Sequence, residues 1–319
     1  MKAIRVHQFG EPDVLKLEEV PDPTPAAGQV VVRIKAVGVN PVETYIRAGR
    51  YGPRQFPFTP GNDGAGIIEA VGPGMRQWNK GDRVYVAGSI SGTYAELALC
   101  DAKKVHRLPE KISFEDGAGL GVPAATAWRG LFQRGGAQRG EMLLVHGASG
   151  GVGTMAVQLA RDAGLTIIGT AGSEKGRELV RSLGAQHVLD HRSADYLKEV
   201  MDLTQQRGVN LILEMAANVN LAKDLSILAK FGRVVIIGSR GTIEIDPRDT
   251  MSRDADIRGM TLFNVNDQDY EAIHAGIVAM LEKGGLKAII DMTLPLAEAA
   301  RAHKLVLEGE SHGKIVLIP

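Results

Sequence analysis

The chain has 319 residues, an apolar content of 44% and one cysteine, and its 37 basic and 37 acidic side chains leave no net charge. This length predicts about two domains with ample apolar material for their cores. The zero net charge excludes a global field that would attract nucleic acid or an acidic membrane surface, and the single cysteine excludes both an intrachain disulfide and a cysteine-rich zinc site.

The first 118 residues are predicted to form many short β-strands. The N-terminus alternates like a strand and has no apolar core typical of a signal peptide. No segment has the uninterrupted apolar length of a membrane span, so we expect a cytoplasmic protein without membrane contact. Short strands between turn sequences predict a barrel-like domain. The predicted strands are Met1–Gln8, Val30–Ala36, Gly66–Val71, Arg83–Ala87 and Thr93–Ala98.

From residue 141 strands and helices alternate, which predicts an α/β fold with a doubly wound parallel sheet of the Rossmann type. Because six strands are complete before the tail, we expect the tail to pack with the first domain. We therefore predict a nucleotide-binding domain of residues 123–260 and a discontinuous domain of residues 1–122 and 261–319. The predicted strands are Met142–Val145, Leu165–Thr170, His187–Leu189, Val209–Met215, Arg233–Ile237, Ile257–Phe263, Ala288–Asp291 and Lys314–Ile318. The predicted helices are Ala124–Phe132, Ser173–Ser182, Ala194–Leu203, Leu221–Ala229, Asp267–Lys283 and Leu296–Leu307.

The most informative stretch is residues 142–164, in which an apolar run precedes a glycine-rich turn and a helical pattern. Such a strand, turn and helix place free backbone N–H groups and the positive end of the helix dipole at one point, which suits a phosphate. The spacing Ala148-x-Gly150-x-x-Gly153 matches the dinucleotide fingerprint with alanine at the first glycine. It predicts a dinucleotide cofactor.

The end of the second strand of this unit favours NADPH over NADH. NAD-binding units hold the ribose 2′-OH with an acid about twenty residues after the first glycine, but residues 169–173 contain no acid. Ser173 is a hydrogen-bond donor for a 2′-phosphate, and Lys175 and Arg177 are candidate cations. The missing acid carries most of this inference, since basic residues on a helix are commonly solvated.

Several stretches resemble known families. Three stretches resemble the first-domain signature of the medium-chain dehydrogenase/reductase superfamily, namely Gly61–Gly66, Glu69–Gly72 and Gly81–Val84. Four further stretches resemble the zeta-crystallin type of quinone oxidoreductase, namely Gly38–Arg47, His146–Gly153, Glu214–Leu221 and Gly238–Ile245. The resemblance covers essentially the whole chain and implies a GroES-like, β-barrel-type catalytic domain beside the Rossmann domain.

The resemblance also bears on metal binding. Zinc-dependent members of the superfamily have a His-Glu pair and a Cys at places where this chain has Asn62-Asp63 and Asn40. Asparagine is a poor zinc ligand, so we predict that no metal is required.

Cofactor contacts are implied at the matching positions. The residues expected at the pyrophosphate are Ser149, Gly150, Gly151 and Val152. The residues expected on the adenosine side are Gly172, Ser173, Lys175 and His191. The residues expected on the nicotinamide side are Asn220, Ile237, Gly238, Ser239, Arg240, Thr261, Leu262 and Phe263, with Tyr51 reaching from the first domain.

The predicted activity is the reduction of a quinone by NADPH without a metal, because a quinone is electrophilic enough to accept a hydride without a Lewis acid. Developing negative charge on its oxygen needs a donor, and the candidates are Asn40, Tyr45 and Tyr51. The sequence leaves open the physiological quinone and whether electrons move singly or in pairs.

Two alternatives remain open at this point. An NADPH-dependent alkenal or enone reductase would use the same fold and the same hydride. A zeta-crystallin-like protein that binds AU-rich RNA belongs to another class, and zero net charge and the lack of an aromatic-basic motif weaken it. A homo-oligomer, dimer or tetramer, is also expected, because the sheet edge of the nucleotide domain commonly pairs between subunits in this superfamily.

Overall fold

A computed structural model describes residues 1–309 and 312–319, which form two compact units. Unit 1 contains Met1–Pro123, Val278–Glu282 and Lys287–Pro319. Unit 2 contains Ala124–Ile277 and Lys283–Leu286. The first unit is thus discontinuous in sequence, and residues 261–277 group with the second. The domain boundaries predicted after residues 122 and 260 stay predictions.

The strands and helices are numbered in chain order. The strands are β1 (Lys2–Arg5), β2 (Lys16–Glu19), β3 (Gln29–Val39), β4 (Asp63–Val71), β5 (Arg83–Ala87), β6 (Leu97–Asp101), β7 (Val105–Arg107), β8 (Met142–Val145), β9 (Thr166–Thr170), β10 (His187–Leu189), β11 (Val209–Glu214), β12 (Leu228–Ile236), β13 (Asp256–Gly259), β14 (Ile290–Pro295) and β15 (Lys314–Ile318). The helices are α1 (Pro41–Arg47), α2 (Phe114–Ala118), α3 (Gly121–Trp128), α4 (Gly151–Ala163), α5 (Glu174–Ser182), α6 (Tyr196–Leu203), α7 (Ala217–Ile227), α8 (Pro247–Met251), α9 (Asp267–Lys283) and α10 (Ala299–Glu308).

Unit 1 is built on a seven-stranded sheet in the order β14-β15-β3-β4-β5-β7, with β6 paired to β3. The long strand β3 pairs antiparallel with β4, β6 and β15, so the C-terminal strand closes onto the N-terminal part of the chain. Strands β14 and β15 thus belong to the same sheet as β3, β4 and β5. Apolar residues that alternate along β3, including Val30, Val32 and Ile34, supply the core of this unit.

Unit 2 contains six parallel strands in the order β10-β9-β8-β11-β12-β13, which confirms the predicted doubly wound sheet. Its central strands are buried on both faces, as Leu144, Ile168, Ile212 and Val234 are all inaccessible. The strand order reverses between β8 and β11. Ligands of such sheets bind outside the carboxyl ends of the strands at this switch point.

Some predicted strand boundaries were wrong. The strand predicted at Thr93–Ala98 is β6, which begins only at Leu97, because the Thr93 hydroxyl donates to the carbonyl of Asp63 and holds residues 93–95 in a turn. The strand predicted at Ile257–Phe263 ends at Gly259, since Thr261 caps a short 3-10 turn.

Two further predicted elements were displaced along the chain. The helix predicted at Leu221–Ala229 is α7, which starts earlier, at Ala217. The amide of Ala217 donates to the carbonyl of Gly238, which fixes where the chain turns into the helix. The strand predicted at Ala288–Asp291 is β14, which starts at Ile290 because it pairs there with Lys314.

The helices also bear on membrane contact. Within residues 1–309 and 312–319, no helix has both the length and the apolar character needed to cross a bilayer.

Candidate cofactor-binding site

The glycine-rich loop joins β8 to α4 at the switch point of the parallel sheet. Gly147 adopts a left-handed backbone with φ +58°, and Gly150 is the N-cap of α4 with φ −81° and ψ 176°. The first N–H groups of a helix have no acceptor within the helix, and the helix dipole adds partial positive charge there. The geometry therefore suits an anion such as a pyrophosphate.

Two glycines of the loop serve different purposes. A Cβ on Gly153 would lie 2.3 Å from the carbonyl oxygen of Gly147 and 2.6 Å from Cα of Ala148, so only glycine permits this close packing of α4. A Cβ on Gly150 would meet only the carbonyl oxygen of Gly147, at 3.4 Å. The protein thus leaves space at Gly150, and the loop fits the phosphates of a dinucleotide.

Predicted adenosine-side residues come together at the ends of β9 and β10. A Cβ on Gly176 would lie 3.1 Å from Oγ of Ser173 and 3.2 Å from Oγ of Ser149, so both hydroxyls flank one point. Ser173 also caps α5 by accepting a hydrogen bond from the amide of Gly176 at 3.1 Å. A Cβ on Gly172 would lie 3.1 Å from Cε1 of His191.

The cations suggested by the sequence differ in their surroundings. Arg177 is held by Glu174 at 2.7 Å and by Asp190 at 2.8 Å. Hydrogen bonds from Arg177 and Arg181 hold the pKa of Glu174 below its usual range. The two contacts commit the Arg177 guanidinium to internal pairs. Lys175 is exposed in the first turn of α5. The structure therefore argues against Arg177 as the cation that meets a 2′-phosphate.

Arg192 is a further candidate cation, which the sequence pattern alone does not indicate. Its Nε would lie 2.8 Å from a Cβ on Gly172, which places the guanidinium beside the end of β9. The signal was present in the sequence, because Arg192 directly follows His191 after a strand that neighbours β9. Only the strand order shows that the segment after β10 lies beside the end of β9.

Predicted nicotinamide-side residues lie on two adjacent loops, after β11 and after β12. A Cβ on Gly238 would lie 2.4 Å from the carbonyl oxygen of Met215, so the loops touch at this glycine. The amide of Ala217 donates to the carbonyl of Gly238 at 2.9 Å, and the amide of Arg240 donates to Oδ1 of Asn218 at 2.9 Å. Ile237 and Ser239 belong to the same loop.

The remaining predicted residues of unit 2 lie on the same edge. Asn220 donates to Oε1 of Glu214 at 3.2 Å. Thr261 accepts a hydrogen bond from the amide of Phe263 at 3.3 Å and starts the turn Leu262–Asn264. Phe263 is 63% exposed. The predicted cofactor residues of unit 2 thus lie at or just beyond the carboxyl ends of the parallel strands, while their individual roles stay predictions.

Known proteins share this arrangement. The model of the alcohol dehydrogenase GroES-like domain matches residues 26–110, and that of the zinc-binding dehydrogenases matches residues 151–293. Human quinone oxidoreductase is 47% identical over all of this chain and 98% of its own length. The chain belongs to the zeta-crystallin-type quinone oxidoreductases of the medium-chain dehydrogenase/reductase superfamily.

Solved structures agree with this assignment. Escherichia coli quinone oxidoreductase, solved with NADPH, has 27% identity and a TM-score of 0.91 over all of both chains. A mycobacterial protein solved with NADPH has 29% identity and a TM-score of 0.92, again over all of both chains. The predicted pairing of a Rossmann-type domain with a GroES-like domain is confirmed.

In unit 1 a buried polar network surrounds Asn40. Asn40 is 2% exposed, and its Nδ2 donates to Asp63 at 2.9 Å and to Glu43 at 3.2 Å. Lys314 donates to Oδ1 of Asn40 and, at 3.2 Å, to Asp63. Both ends of the Asn40 amide are thus committed within the protein, and its direct contact with substrate stays a prediction.

Glu43 lies at the centre of this network. It accepts hydrogen bonds from the amide of Asn62 at 3.1 Å and from the hydroxyl of Tyr94 at 3.4 Å. Burial raises the pKa of Glu43 to about 7, and the nearby ammonium of Lys314 opposes the rise. Its carboxyl group is therefore close to its titration point at neutral pH.

A cavity of about 110 Å³ adjoins this network within unit 1. Glu43, Arg54, Phe58, Asn62 and Ile90 are among the residues that line it. Drug-sized ligands occupy pockets of about 300–1,000 Å³. At about 110 Å³ this cavity is well below that range.

The two predicted tyrosine donors are placed differently. Tyr45 is half-buried on α1, with the guanidinium of Arg50 6.0 Å from its ring centre. Tyr51 follows that helix and is 51% exposed. Their part in catalysis stays a prediction.

Proposed function

We propose that the chain is an NADPH-dependent quinone reductase. The observation that carries this proposal is the glycine cradle at the end of β8, in a chain 47% identical over its whole length to human quinone oxidoreductase. Bound NADPH would supply a hydride to an electron-poor ring. The protein's task is then to hold the cofactor and to polarise the quinone.

Residues of unit 2 are proposed to bind the cofactor. The backbone N–H groups of Gly150, Gly151 and Val152 are proposed to hold the pyrophosphate at the start of α4. Ser173 and Arg192 are proposed to meet the 2′-phosphate, because they offer a hydroxyl and a guanidinium beside Gly172 and because residues 169–173 contain no acid. This pairing favours NADPH over NADH.

Unit 1 supplies the groups that act on the quinone. Negative charge develops on the quinone oxygen as the hydride arrives, and a hydrogen-bond donor at that oxygen lowers the barrier. Tyr45 and Tyr51 are proposed as these donors. The buried Asn40 is proposed to act through Glu43 and Asp63, whose positions it fixes by hydrogen bonds.

The polar network of unit 1 supports a reaction without metal. Lys314 places an ammonium group between Asn40 and Asp63, so a cation of the protein itself neutralises the buried carboxylate. The two amides of Asn40 and Asn62 offer weak ligands to zinc. We propose that Lys314 makes a metal unnecessary for the integrity of this unit.

The free edge of the parallel sheet supports self-association. Strand β13 ends the sheet, and Phe231, Met251 and Ile257 near it are exposed. Unpaired strand edges pair readily with another chain. We propose that two copies of this chain pair through β13.

The proposal is tested by NADPH oxidation with a panel of quinones, enones and alcohols. The highest kcat/KM is expected for quinones. An enone as the best substrate would replace the proposal by an alkenal or enone reductase. A gel shift with AU-rich RNA, with and without NADPH, tests the binding alternative.

A further inference from the structure

Three ionisable side chains form a closed cluster inside unit 2. His146 follows β8, Glu214 ends β11, and Asp224 lies on α7. Nε2 of His146 lies 2.8 Å from Oδ1 of Asp224 and 3.5 Å from Oε2 of Glu214. All three residues are buried. The strands that carry His146 and Glu214 are the two between which the strand order reverses.

The cluster holds more acceptors than donors. Oε2 of Glu214 and Oδ2 of Asp224 have no hydrogen-bond partner among the residues that the structure describes. Two ionised carboxylates this close and out of water repel each other and lose hydration, so such a pair binds a proton instead. Burial raises the pKa of Glu214 to about 7 and that of Asp224 to about 7, and it lowers the pKa of His146.

The cluster adjoins the glycine loop along the chain and is joined by hydrogen bonds to the segment after β11. His146 directly precedes Gly147, the first residue of the glycine loop. Oε1 of Glu214 accepts hydrogen bonds from the amide of Ala216 and from Asn220, which belong to the loop and helix after β11. The cluster is therefore attached directly to the first residue of the loop at which the cofactor phosphates are proposed to bind.

Other charged or titratable groups face the cluster from the elements packed against it. Lys223 on α7 lowers the pKa of both Asp224 and His146. Tyr196 on α6 stays protonated at neutral pH, because burial raises its pKa to about 12. His191 after β10 is influenced by His146, and burial lowers its pKa. Of these three, His191 is the group that must be separated from the cluster by experiment.

We propose that the His146–Glu214–Asp224 cluster takes up a proton when a dinucleotide binds at the glycine loop. This inference rests on the cofactor site proposed above. A pyrophosphate brings negative charge next to a buried, partly ionised cluster, and like charge favours the protonated form. The cluster would thus hold more protons in the complex than in the free protein. These residues act on the cofactor through the loops, as positioning residues.

The sign of the coupling fixes the pH dependence. If binding takes up a proton, the cofactor binds more weakly as the pH rises from the free to the bound titration point of the cluster. A rise of one pKa unit on binding makes the dissociation constant about tenfold larger across that window. We expect the affinity to fall by about three- to tenfold between about pH 6.5 and about pH 8.5.

Calorimetric titration of the full chain in buffers of different ionisation enthalpy counts the protons. NADPH and NADH serve as probes, because NADH has the same pyrophosphate and lacks the titrating 2′-phosphate. We expect a net uptake of up to about half a proton per site near neutral pH with both. Binding without proton uptake by the wild-type protein would overturn the coupling and leave the proposed function intact. A failure to bind NADPH at all would instead overturn the proposed function.

Isosteric variants locate the proton. Asp224→Asn and Glu214→Gln should each reduce the uptake to less than half and flatten the pH dependence, while His191→Asn should keep both even if it weakens binding. Loss of the uptake in His191→Asn alone would assign the proton to His191 and overturn the proposal. A stoichiometric metal that is present in the wild type and lost in Asp224→Asn would also overturn it. Should the two cluster variants not fold, uptake that is retained in His191→Asn supports the cluster, and uptake that is lost in His191→Asn overturns the proposal.

Discussion

Nζ of Lys314 lies 3.2 Å from Oδ2 of Asp63, and both side chains are buried in unit 1. The two residues are 251 positions apart in the chain, and their contact ties the C-terminal strand to the start of β4. The other oxygen of Asp63 accepts from the amide of Val122 at 2.8 Å. Both oxygens of the Asp63 carboxylate are therefore engaged, one by the Val122 amide and one by the Lys314 ammonium group.

Loss of the Lys314 ammonium group should lower the free energy of unfolding. Lys314→Met leaves a buried carboxylate without its cation, which costs about 3–5 kcal/mol of unfolding free energy. Denaturant titration measures the change. Lys80→Met is the matched control, because it breaks an exposed, solvent-screened pair with Glu69 and should change stability far less. Equal stability of the two variants would show that the buried pair is not needed.

The two loop glycines should separate binding from stability. Gly150→Ala should leave the thermal midpoint almost unchanged, since its Cβ meets no atom of the protein closer than 3.4 Å, and should weaken NADPH binding at least about tenfold by occupying phosphate space. Gly153→Ala should destabilise the fold, because its Cβ would lie 2.3 Å from a backbone oxygen. Calorimetry measures the thermal midpoint, and fluorescence titration measures the affinity for NADPH. Unchanged NADPH affinity in a folded Gly150→Ala would place the phosphates elsewhere.

Arg192 should determine the preference for the phosphorylated cofactor. Arg192→Gln removes the guanidinium beside Gly172 and should raise the KM for NADPH about tenfold while leaving that for NADH within about twofold. Arg181→Gln is the control on α5, where the arginine is half exposed and pairs with Glu174. Parallel kinetics with the two cofactors measure the ratio. An equal loss with both would show that Arg192 does not contact the 2′-phosphate.

Glu43 should make stability depend on pH. Its folded pKa of about 7 lies above the ordinary 4.5, so the native state holds a proton that the unfolded chain releases. The stabilisation is fully present below about pH 4.5 and is lost as the pH rises through about 7. Relative to Glu43→Gln, the wild type should lose up to about 3 kcal/mol over that window. Urea unfolding at several pH values tests this, and parallel pH profiles of the two proteins would contradict it.

The sheet edge should control self-association. Ile257→Lys puts a charge on β13, which disfavours strand pairing between copies, and should lower the sedimentation coefficient. Leu17→Lys, on the exposed face of β2, is the control and should leave it unchanged. A wild-type protein that sediments as a monomer would end the proposal of pairing through β13.

The fold was predictable where local pattern and chain order agree. Strands from Met142 onwards read as short apolar runs, and the glycine turn fixed the first βα unit. Turns held by distant contacts were not predictable, as the hydroxyl of Thr93 shows, because its partner Asp63 is 30 residues away. The spacing of apolar residues along the chain carries no information about such contacts.

The candidate site was likewise predictable in part. Residues next to strand ends, such as Ser173 and His191, follow from the resemblance and are grouped by the structure. Arg192 and the cluster around His146 were missed, since they depend on strand order and on a contact with Asp224 across 78 residues. The burial of Asn40 was likewise invisible to a pattern that shows only residue type.

The most direct test of the account is NADPH oxidation by the full chain with a monocyclic quinone after exhaustive removal of metals. The loss of NADPH absorbance should be saturable in both substrates, unaffected by chelator and strongly reduced in Gly150→Ala. No consumption of NADPH with any quinone, or activity that returns only when zinc is added, would contradict the account.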